Sequence, residues 1–385
     1  VVGVFYEKHA SLASAPLSDP GSPERAIAEG CTAPVYFGST FPNCLLMTGP
    51  DDEAYNAVDN QSLSDKSVYG DLTYHFTRNW QVTGGVRYFR EEFTDLGAQY
   101  LYDFGVQEPL SLKRSTFSKT VGKIDMSYEY SPGQHVYALW SQGFRRGGTN
   151  GGLLPTGAFA DEAPATFKPD LVSNYEIGLK GHFANSLSYA VDGFYMPWTD
   201  PQICGLTPQA NYACWNAKKA VSQGFELNLD SPLFLPGLRV MLVGTYANAH
   251  LTENYSYPDF GGNLEGYAGE QLPLSPKESG AATLSYTRDL GSAYSLVVTL
   301  NNTYTSAEVT NYFKVLGQKP ANTPAMDVVN ASVAVIHDAW RIGIYSTNLM
   351  NKYEVLTNGT YTAPLSFTQT INQPRMVYIG GDYSF

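Results

Sequence analysis

The lengths of the connections between alternating segments constrain this chain more than any other feature of its sequence. Many segments repeat with a period of two, as in residues 68–76, where Val68 and Leu72 share one face and Asp71 and Thr73 share the other. This period is typical of a strand with one apolar and one polar face. The connections between such strands alternate between short and long, which predicts a sheet with tight turns at one end and long loops at the other.

The alternation predicts about 14 antiparallel strands, most near the length that crosses a bilayer at a tilt. They are expected to start near residues 1, 67, 81, 117, 134, 172, 187, 220, 238, 279, 294, 326, 340 and 373. Short connections are expected at 77–79, 131–133, 184–186, 289–291 and 337–338. Long ones are expected over roughly 10–66, 95–116, 145–170, 200–218, 252–277, 308–324 and 352–372. This phase is expected of an outer-membrane barrel with short periplasmic turns and long extracellular loops, whereas loops of a sandwich or propeller need not keep it.

The composition is compatible with a membrane barrel. Hydrophobic residues make up 43% of the chain and charged residues only 16%, and there are 28 Tyr and 19 Phe. No run of 18 apolar residues occurs, which excludes helical membrane spans. A barrel in lipid explains these values through a polar lumen and aromatic girdles. A secreted β-sandwich or propeller remains open on composition alone. The net charge of −12 argues against a nucleic-acid partner.

The four cysteines form two close pairs, Cys31 with Cys44 and Cys204 with Cys214. Local pairs of this kind suit an oxidising compartment, and they do not have metal-ligand spacing. Both pairs fall inside predicted long loops. We therefore expect two disulfides that restrain extracellular segments.

The residues present no catalytic constellation. The six histidines are scattered singly, and the adjacent carboxylates Glu91 and Glu92 point to opposite faces of a strand. The chain is therefore not expected to be an enzyme, and no cofactor or metal site is predicted.

Four residues are candidates for ligand contact. Arg145 and Arg146 open a long loop, where guanidinium groups bind carboxylate or phosphate. They would otherwise pair with local acids or with lipopolysaccharide phosphates. Tyr212 and Trp215 flank Cys214 and could form an aromatic lip, or belong to a stapled loop that contacts no ligand.

Several segments, in order along the chain, resemble the C-terminal barrel of TonB-dependent receptors. They include residues 69–74 with 80–88, 136–148, 167–180, 223–227, 274–277 and 348–353. The last of these is one residue shorter before Tyr353 than is usual. The end of the chain, with Tyr383 and Phe385, is similar to the insertion signal that the barrel-assembly machinery recognises.

The resemblance implies an antiparallel transmembrane β-barrel in the bacterial outer membrane. The family's barrel has 22 strands around a plug. Residues 1–385 are therefore expected to be a C-terminal portion without the plug, the TonB box and the early strands. The chain starts at Val1 with no initiator Met and no signal peptide, which implies processing, trimming or a fragment. A fragment is favoured because the first residues already have the pattern of a strand.

The resemblance also implies active uptake of a bulky, scarce nutrient, with energy supplied by the TonB complex through the plug. A ferric siderophore is the first expectation for the ligand, while a glycan, a vitamin such as cobalamin and a nickel complex remain open. The other expected partners are outer-membrane lipid, lipopolysaccharide and the barrel-assembly machinery. Two alternatives stay open: a passive 14-stranded outer-membrane channel, and a secreted β-rich binding module.

Overall fold

Fourteen long strands form a single antiparallel sheet in the computed structural model. The structure describes residues 1–14, 17–18, 53–101, 106–150, 163–183, 186–206, 212–259, 262–310, 322–360 and 367–384. The strands are β1 (Val2–Ser14), β2 (Glu53–His75), β3 (Trp80–Leu101), β4 (Val106–Ser131), β5 (Gln134–Arg145), β6 (Asp170–His182), β7 (Ser188–Thr199), β8 (Lys219–Pro232), β9 (Leu238–Leu251), β10 (Glu278–Gly291), β11 (Tyr294–Thr305), β12 (Met326–His337), β13 (Trp340–Thr347) and β14 (Met376–Tyr383).

Each strand pairs with its neighbours in the sequence, from β1 to β14, and the short strand Leu17–Ser18 pairs with β2. Among the described strands, none joins β14 back to β1. The described residues contain no helix that is long and apolar enough to span a membrane. The prediction of about 14 antiparallel strands is therefore confirmed.

The predicted ends of the first strands are wrong. β1 continues to Ser14, and β2 already begins at Glu53. β3 continues to Leu101 and β4 begins at Val106, so most of the expected loop at 95–116 is strand. Residues 60–67 of β2 are mostly polar on both faces, which removes the period-two signal. Backbone hydrogen bonds to β3 hold this part of the strand. Hydrophobic alternation does not reveal such pairing, because it depends only on the side chains.

Five of the long connections contain short antiparallel pairs of strands. Their bounds are Gly148–Thr149 with Thr166–Phe167, Gln202–Leu206 with Tyr212–Asn216, Tyr255–Asp259 with Gly262–Gly266, Glu308–Val309 with Asn322–Thr323, and Val355–Thr360 with Phe367–Ile371. The sequence predicts these regions as loops and does not reveal the pairs, because two to six residues carry too little periodicity.

The two faces of the sheet differ in polarity. Large apolar side chains cover the outer face and are widely exposed, such as Leu72 (75%) and Ile379 (78%). The inner face carries polar contacts, such as the ion pair between Lys123 Nζ and Asp71 Oδ1 at 3.0 Å. An apolar outer face and a polar lumen are the arrangement of a strand wall in lipid.

Aromatic rings cluster at the end of the sheet that carries the short turns. Trp80 stacks on Tyr128 with ring centroids 4.5 Å apart, and Trp340 lies 4.7 Å from Tyr383. This cluster corresponds to the aromatic girdle of a membrane interface. It also places Tyr383, predicted as part of the insertion signal, on the outer face, whereas Phe385 lies outside the described residues.

The sheet divides at its loop end. The pairing of β4 with β5 stops at Lys123 and Ser141, although both strands continue. Beyond that point Phe144 of β5 stacks on Phe89 of β3 at 3.8 Å, and Phe89 is completely buried. The end of β5 therefore packs against the extension formed by β2, β3 and β4, and it directs the following loop toward the lumen side of that extension.

Candidate functional site

The connection between β7 and β8 contains a pair of short antiparallel strands at the loop end of the sheet. Its two strands, Gln202–Leu206 and Tyr212–Asn216, place Cys204 directly opposite Cys214. These cysteines form a disulfide with Cα atoms 4.0 Å apart. Cys31 and Cys44 lie outside the described residues.

An apolar core holds this hairpin on neighbouring strands and loops. Trp215 is only 2% exposed and stacks on Tyr257 at 5.6 Å. The Tyr257 hydroxyl donates a hydrogen bond to the carbonyl of Asn216. Burial raises the pKa of Tyr257, and the carboxylate of Asp200 acts in the same direction, so the hydroxyl stays a donor. The other buried members of the core are Ile203, Ala213, Ala217, Ala220, Leu251 and Tyr255.

The burial of Trp215 agrees with the second of its two predicted roles, a residue of the stapled loop. A ring with 2% exposure cannot form an aromatic lip for a ligand in this conformation, and it serves as a core residue of the loop. Tyr212 belongs to the second strand of the same hairpin, but its side chain lies outside the described part of the structure.

Arg145 is engaged by a buried carboxylate. Its Nε and NH2 atoms donate to Oδ2 of Asp170 at 2.8 and 2.5 Å, and its backbone N–H donates to Oδ1 at 3.0 Å. The Asp170 side chain is 1% exposed, and the guanidinium lies 4.8 Å from the ring centre of Trp198. Arg145 thus ties the end of β5 to β6 and the β7 loop.

Arg146 has a different environment. Its guanidinium lies over the ring of Phe93 at 5.5 Å and lines a small cavity with Glu91 and Phe117. The side chain is exposed, and within the described residues it has no ion pair shorter than 4.0 Å. Of the two predicted arginines, Arg146 is the one without an ion pair among the described residues, and its nearest carboxylate in the cavity is that of Glu91.

Asn150 connects two loops that the sequence does not relate. Its side chain donates to the carbonyls of Pro164 and Cys214 at 2.7 and 2.8 Å and accepts from the Cys214 N–H at 2.7 Å. Its own carbonyl accepts from Lys113 Nζ at 2.8 Å. With 3% exposure and these contacts, Asn150 fixes the β5–β6 loop to the disulfide hairpin.

The amide side chains of Gln202 and Asn216 complete this connection. Gln202 donates to the carbonyls of Arg146 and Lys168, and Asn216 donates to those of Lys168 and Asp200. We call the assembly of residues 145–150, 163–170, 198–206 and 212–217 the loop platform. Sequence reasoning missed four of its polar members because their partners are distant in the sequence; these are Asn150, Asp170, Gln202 and Asn216.

The lumen wall below the platform is charged. Asp192 of β7 lies opposite Glu226 of β8, and Glu176 of β6 accepts hydrogen bonds from Tyr137 at 2.7 Å and Asn174 at 3.0 Å. Three carboxylates on adjacent strands create a negative potential that favours cationic groups in the lumen.

A groove of about 360 Å³ lies on the inner face of the sheet, along the strands from β1 to β5. Arg87 pairs with Asp65 at 3.1 Å and Lys123 with Asp71 at 3.0 Å along this groove. No group of three or more metal-ligating side chains occurs among the described residues.

Residues 30–349 match the family model described as TonB dependent receptor-like, beta-barrel. The chain belongs to the TonB-dependent receptor family. The resemblance found in the sequence motifs is thereby confirmed, and the chain is a component of the bacterial outer membrane. The relatives of this receptor chain are receptors and transporters, so the prediction that it is not an enzyme is also confirmed.

Curated relatives of this receptor chain include the pesticin receptors of Yersinia enterocolitica and Yersinia pestis. Each is 26% identical over 221 residues, which is 57% of this chain and 30% of the relative. The chain thus spans less than a third of the length of the curated relatives it matches.

Solved structures share the fold. The ferric yersiniabactin uptake receptor FyuA from Yersinia pestis has a TM-score of 0.71 at 20% identity, over 87% of this chain and 48% of that protein. The ferric-catecholate import receptor Fiu from Escherichia coli K12 has a TM-score of 0.65 at 16% identity, over 86% and 46%. The copper transporter OprC has a TM-score of 0.64 at 14% identity, over 86% and 54%.

Proposed function

We propose that this chain is a contiguous wall of a TonB-dependent receptor that takes up a bulky, scarce nutrient across the outer membrane, with a ferric siderophore as its ligand. The loop platform carries this proposal. A polar network centred on Asn150 and Asp170 fixes several loops around a charged lumen, which provides a preorganised surface for a ligand larger than a simple ion.

The siderophore is proposed because several solved structures with the same fold are named as receptors for ferric chelates. Solved structures with the same fold include receptors for ferric yersiniabactin, ferric catecholates and ferric citrate, and OprC is a copper transporter. A metal chelate with carboxylate or phenolate groups is the kind of anion that the exposed Arg146 would attract.

The proposal includes parts that lie outside this chain. Residues 1–385 would form one C-terminal barrel portion, and a plug supplied by the same receptor would fill the lumen and contact the TonB complex. The Tyr383 and Phe385 end would serve the barrel-assembly machinery. The negative potential of the Glu176, Asp192 and Glu226 wall would favour cationic groups on whatever fills the lumen.

Transport by cells that carry the full-length receptor tests this function. Uptake of labelled ferric complexes of a phenolate, a catecholate and a citrate siderophore would be compared between cells with the receptor, without it, and without TonB. Uptake of one chelate that requires both the receptor and TonB is the expected result. Uptake that persists without TonB would favour the passive channel, and no receptor-dependent uptake of any ferric chelate would contradict the siderophore.

Both alternatives from the sequence have lost support. A passive 14-stranded channel requires β1 to pair with β14, and the described strands run as an open series. A secreted binding module does not agree with membership of an outer-membrane family.

A further inference from the structure

Two carboxylates lie directly opposite each other on the inner face of the extension formed by β2, β3 and β4. Asp65 of β2 is the cross-strand partner of Glu91 of β3, so their Cβ atoms are about 5 Å apart. Glu91 lies eleven residues beyond Trp80, where β3 begins. At about 3.3 Å per residue and a tilt of about 40°, it stands roughly 28 Å above the turns, beyond the ~25 Å apolar band. We call Asp65 and Glu91 the carboxylate pair.

Each member of the carboxylate pair has one buried oxygen without a hydrogen-bond partner among the described residues. Asp65 is 8% exposed, and its Oδ2 accepts a hydrogen bond from Arg87 at 3.1 Å, but its Oδ1 has no partner. Oε2 of Glu91 is buried and has no partner either. Two directly opposed residues therefore present acceptors that lack a donor, and a buried polar atom left unpaired is costly.

Apolar rings surround Glu91. Phe117 of β4 is its other cross-strand partner, and Phe89 and Phe93 are its neighbours on the inner face of β3. Phe89 is completely buried. Burial in these surroundings raises the pKa of Glu91, and the charge of Asp65 acts in the same direction.

Two arginines act against this effect. Arg146, which lines the same small cavity as Glu91, and Arg87, which pairs with Asp65, both lower the pKa of Glu91. Among the described residues, neither arginine forms an ion pair with Glu91 shorter than 4.0 Å. The other charged groups that face the pair are Glu7 of β1, directly opposite Asp65, and Lys119 of β4, directly opposite Phe89.

We propose that Asp65 and Glu91 share one bound proton, and that Arg146 moves onto Glu91 when this proton leaves. A proton on Oε2 of Glu91 makes the carboxyl group a donor to Oδ1 of Asp65, so one proton satisfies both unpartnered oxygens. A metal ion fits less well, because it needs more oxygen ligands than this pair supplies and Arg87 already balances one of the two charges.

The exchange of proton and guanidinium keeps the charge of the pair balanced. With the proton bound, the pair carries one negative charge, which Arg87 balances. When the proton leaves to solvent, the charge of Glu91 is left among apolar rings, where an ion must be paired. Arg146 lies over the ring of Phe93 at 5.5 Å in the same cavity, so it needs only a local shift to reach Glu91. The pair is thus a pH-sensitive contact between the extension and the start of the β5–β6 loop.

This contact also bears on ligand capture. Arg146 is free for an external anion only while Glu91 holds the proton, so the proton and the anion favour each other's binding by linkage. That consequence rests on the proposed function, in which Arg146 attracts an anionic chelate. The shared proton belongs to the ligand-free receptor and is tested without any ligand, so its failure and the failure of the proposed function are separate results.

Infrared titration of the full-length receptor in detergent tests the shared proton. The absorption of protonated carboxyl groups would be followed from about pH 5 to about pH 9, above the ordinary pKa of glutamate, for the wild type and for Glu91→Gln. We expect the difference between the two spectra to contain a carboxyl band that is present at the acid end of this range and is lost as the pH rises.

Two variants should shift the midpoint of this titration in opposite directions. Arg146→Gln should raise the pH at which the band is lost, because the cation that replaces the proton is absent. Asp65→Asn should lower it, because the neighbouring negative charge is lost and Arg87 is released toward Glu91. A merely structural role of these residues does not predict opposite shifts.

Glu92→Gln is the matched control, since Glu92 is the adjacent residue on the outer face, 3.7 Å from Nε of Arg114. It should leave the band and its midpoint as in the wild type, and heat-modifiable migration would verify that every variant is folded. Absence of a band that depends on Glu91 would overturn the proposal, because a water in the cavity of about 10 Å³ would then satisfy an ionised pair. Unchanged midpoints in both Arg146→Gln and Asp65→Asn would overturn it as well.

Discussion

Individual polar residues, together with the aromatic core, organise the loop end of this receptor chain. Asp170 is buried and accepts three hydrogen bonds from Arg145, so its carboxylate fixes the end of one strand to the start of another. Asn348 plays a comparable role after β13. Its φ of 48° is in the left-handed region, and its side chain bonds both backbone polar groups of Lys352, at 2.9 and 2.8 Å.

Asp170 and Asn348 show which part of the loop end could be predicted from the sequence. Asp170 and Asn348 both lie in segments that carry the family resemblance. In both cases the side chain accepts a hydrogen bond from a backbone N–H group. Their partners were not predictable, because Asp170 is buried only when the β7 loop folds over it. The sequence left two roles open for Trp215 for the same reason, since the core that buries its ring is built from residues far away in the sequence.

Replacement of the buried carboxylate should loosen the loop platform. In Asp170→Asn the side chain keeps its size but loses the charge that pairs with Arg145, and we expect a local loss of about 2 kcal/mol. Limited proteolysis of residues 198–217 and hydrogen exchange would measure it. Asp230→Asn, at the half-exposed pair with Arg239 near the short turns, is the matched control and should change little. Equal protection of the platform in Asp170→Asn and the wild type would contradict this role.

At the scale of the strands, hydrophobic alternation predicted the strand segments with an apolar outer face. It did not predict the strand extensions above the apolar band. The strands from β5 to β13 start within about three residues of their predicted positions. In contrast, the extensions of β2, β3 and β4 rise beyond the apolar band, where polar and charged residues occur on both faces and alternation is weak. The missed β-structure is therefore concentrated on the extracellular side of the sheet.

The facing of the strands has a direct test. Leu284 of β10 and Ile379 of β14 are on the outer face, and an Asp at either position would place a carboxylate in lipid at a cost of roughly 1–2 kcal/mol. We expect Leu284→Asp and Ile379→Asp to reduce assembly, measured by outer-membrane fractionation and heat-modifiable migration. Ser285→Asp, one residue away on the lumen face, should assemble as the wild type does. Normal assembly of both outer-face variants would refute the facing.

The disulfide hairpin should respond to reduction without affecting the strands. The bond between Cys204 and Cys214 closes a loop with a sequence separation of 10, for which the chain-entropy model gives about 3 kcal/mol of local restraint. The apolar core around Trp215 remains after reduction, so we expect faster proteolysis near residues 206–212 with unchanged circular dichroism. A variant with Cys204→Ser and Cys214→Ser should be equally sensitive with or without reductant. Loss of β-structure on reduction would contradict the placement of this restraint.

At the scale of the whole molecule, the two edge strands of the sheet, β1 and β14, are not paired with each other among the described strands. Each unpaired backbone group costs several kcal/mol in lipid, so β1 and β14 need partners that the described strands do not supply to each other. The relatives are much longer than this chain, and the family's 22-stranded barrel would provide these partners.

The intact mass of the native polypeptide extracted from outer membranes distinguishes the two ways of pairing these edges. We expect a mass well above the 42.1 kDa of this chain, because further strands and a plug would be part of the same polypeptide. Cross-linking between cysteines introduced at Val4 and Val377, both on the outer face, provides the control, since a closed 14-stranded wall would bring β1 and β14 together. A mass near 42.1 kDa with efficient cross-linking would establish a complete barrel and would return the passive channel to first place.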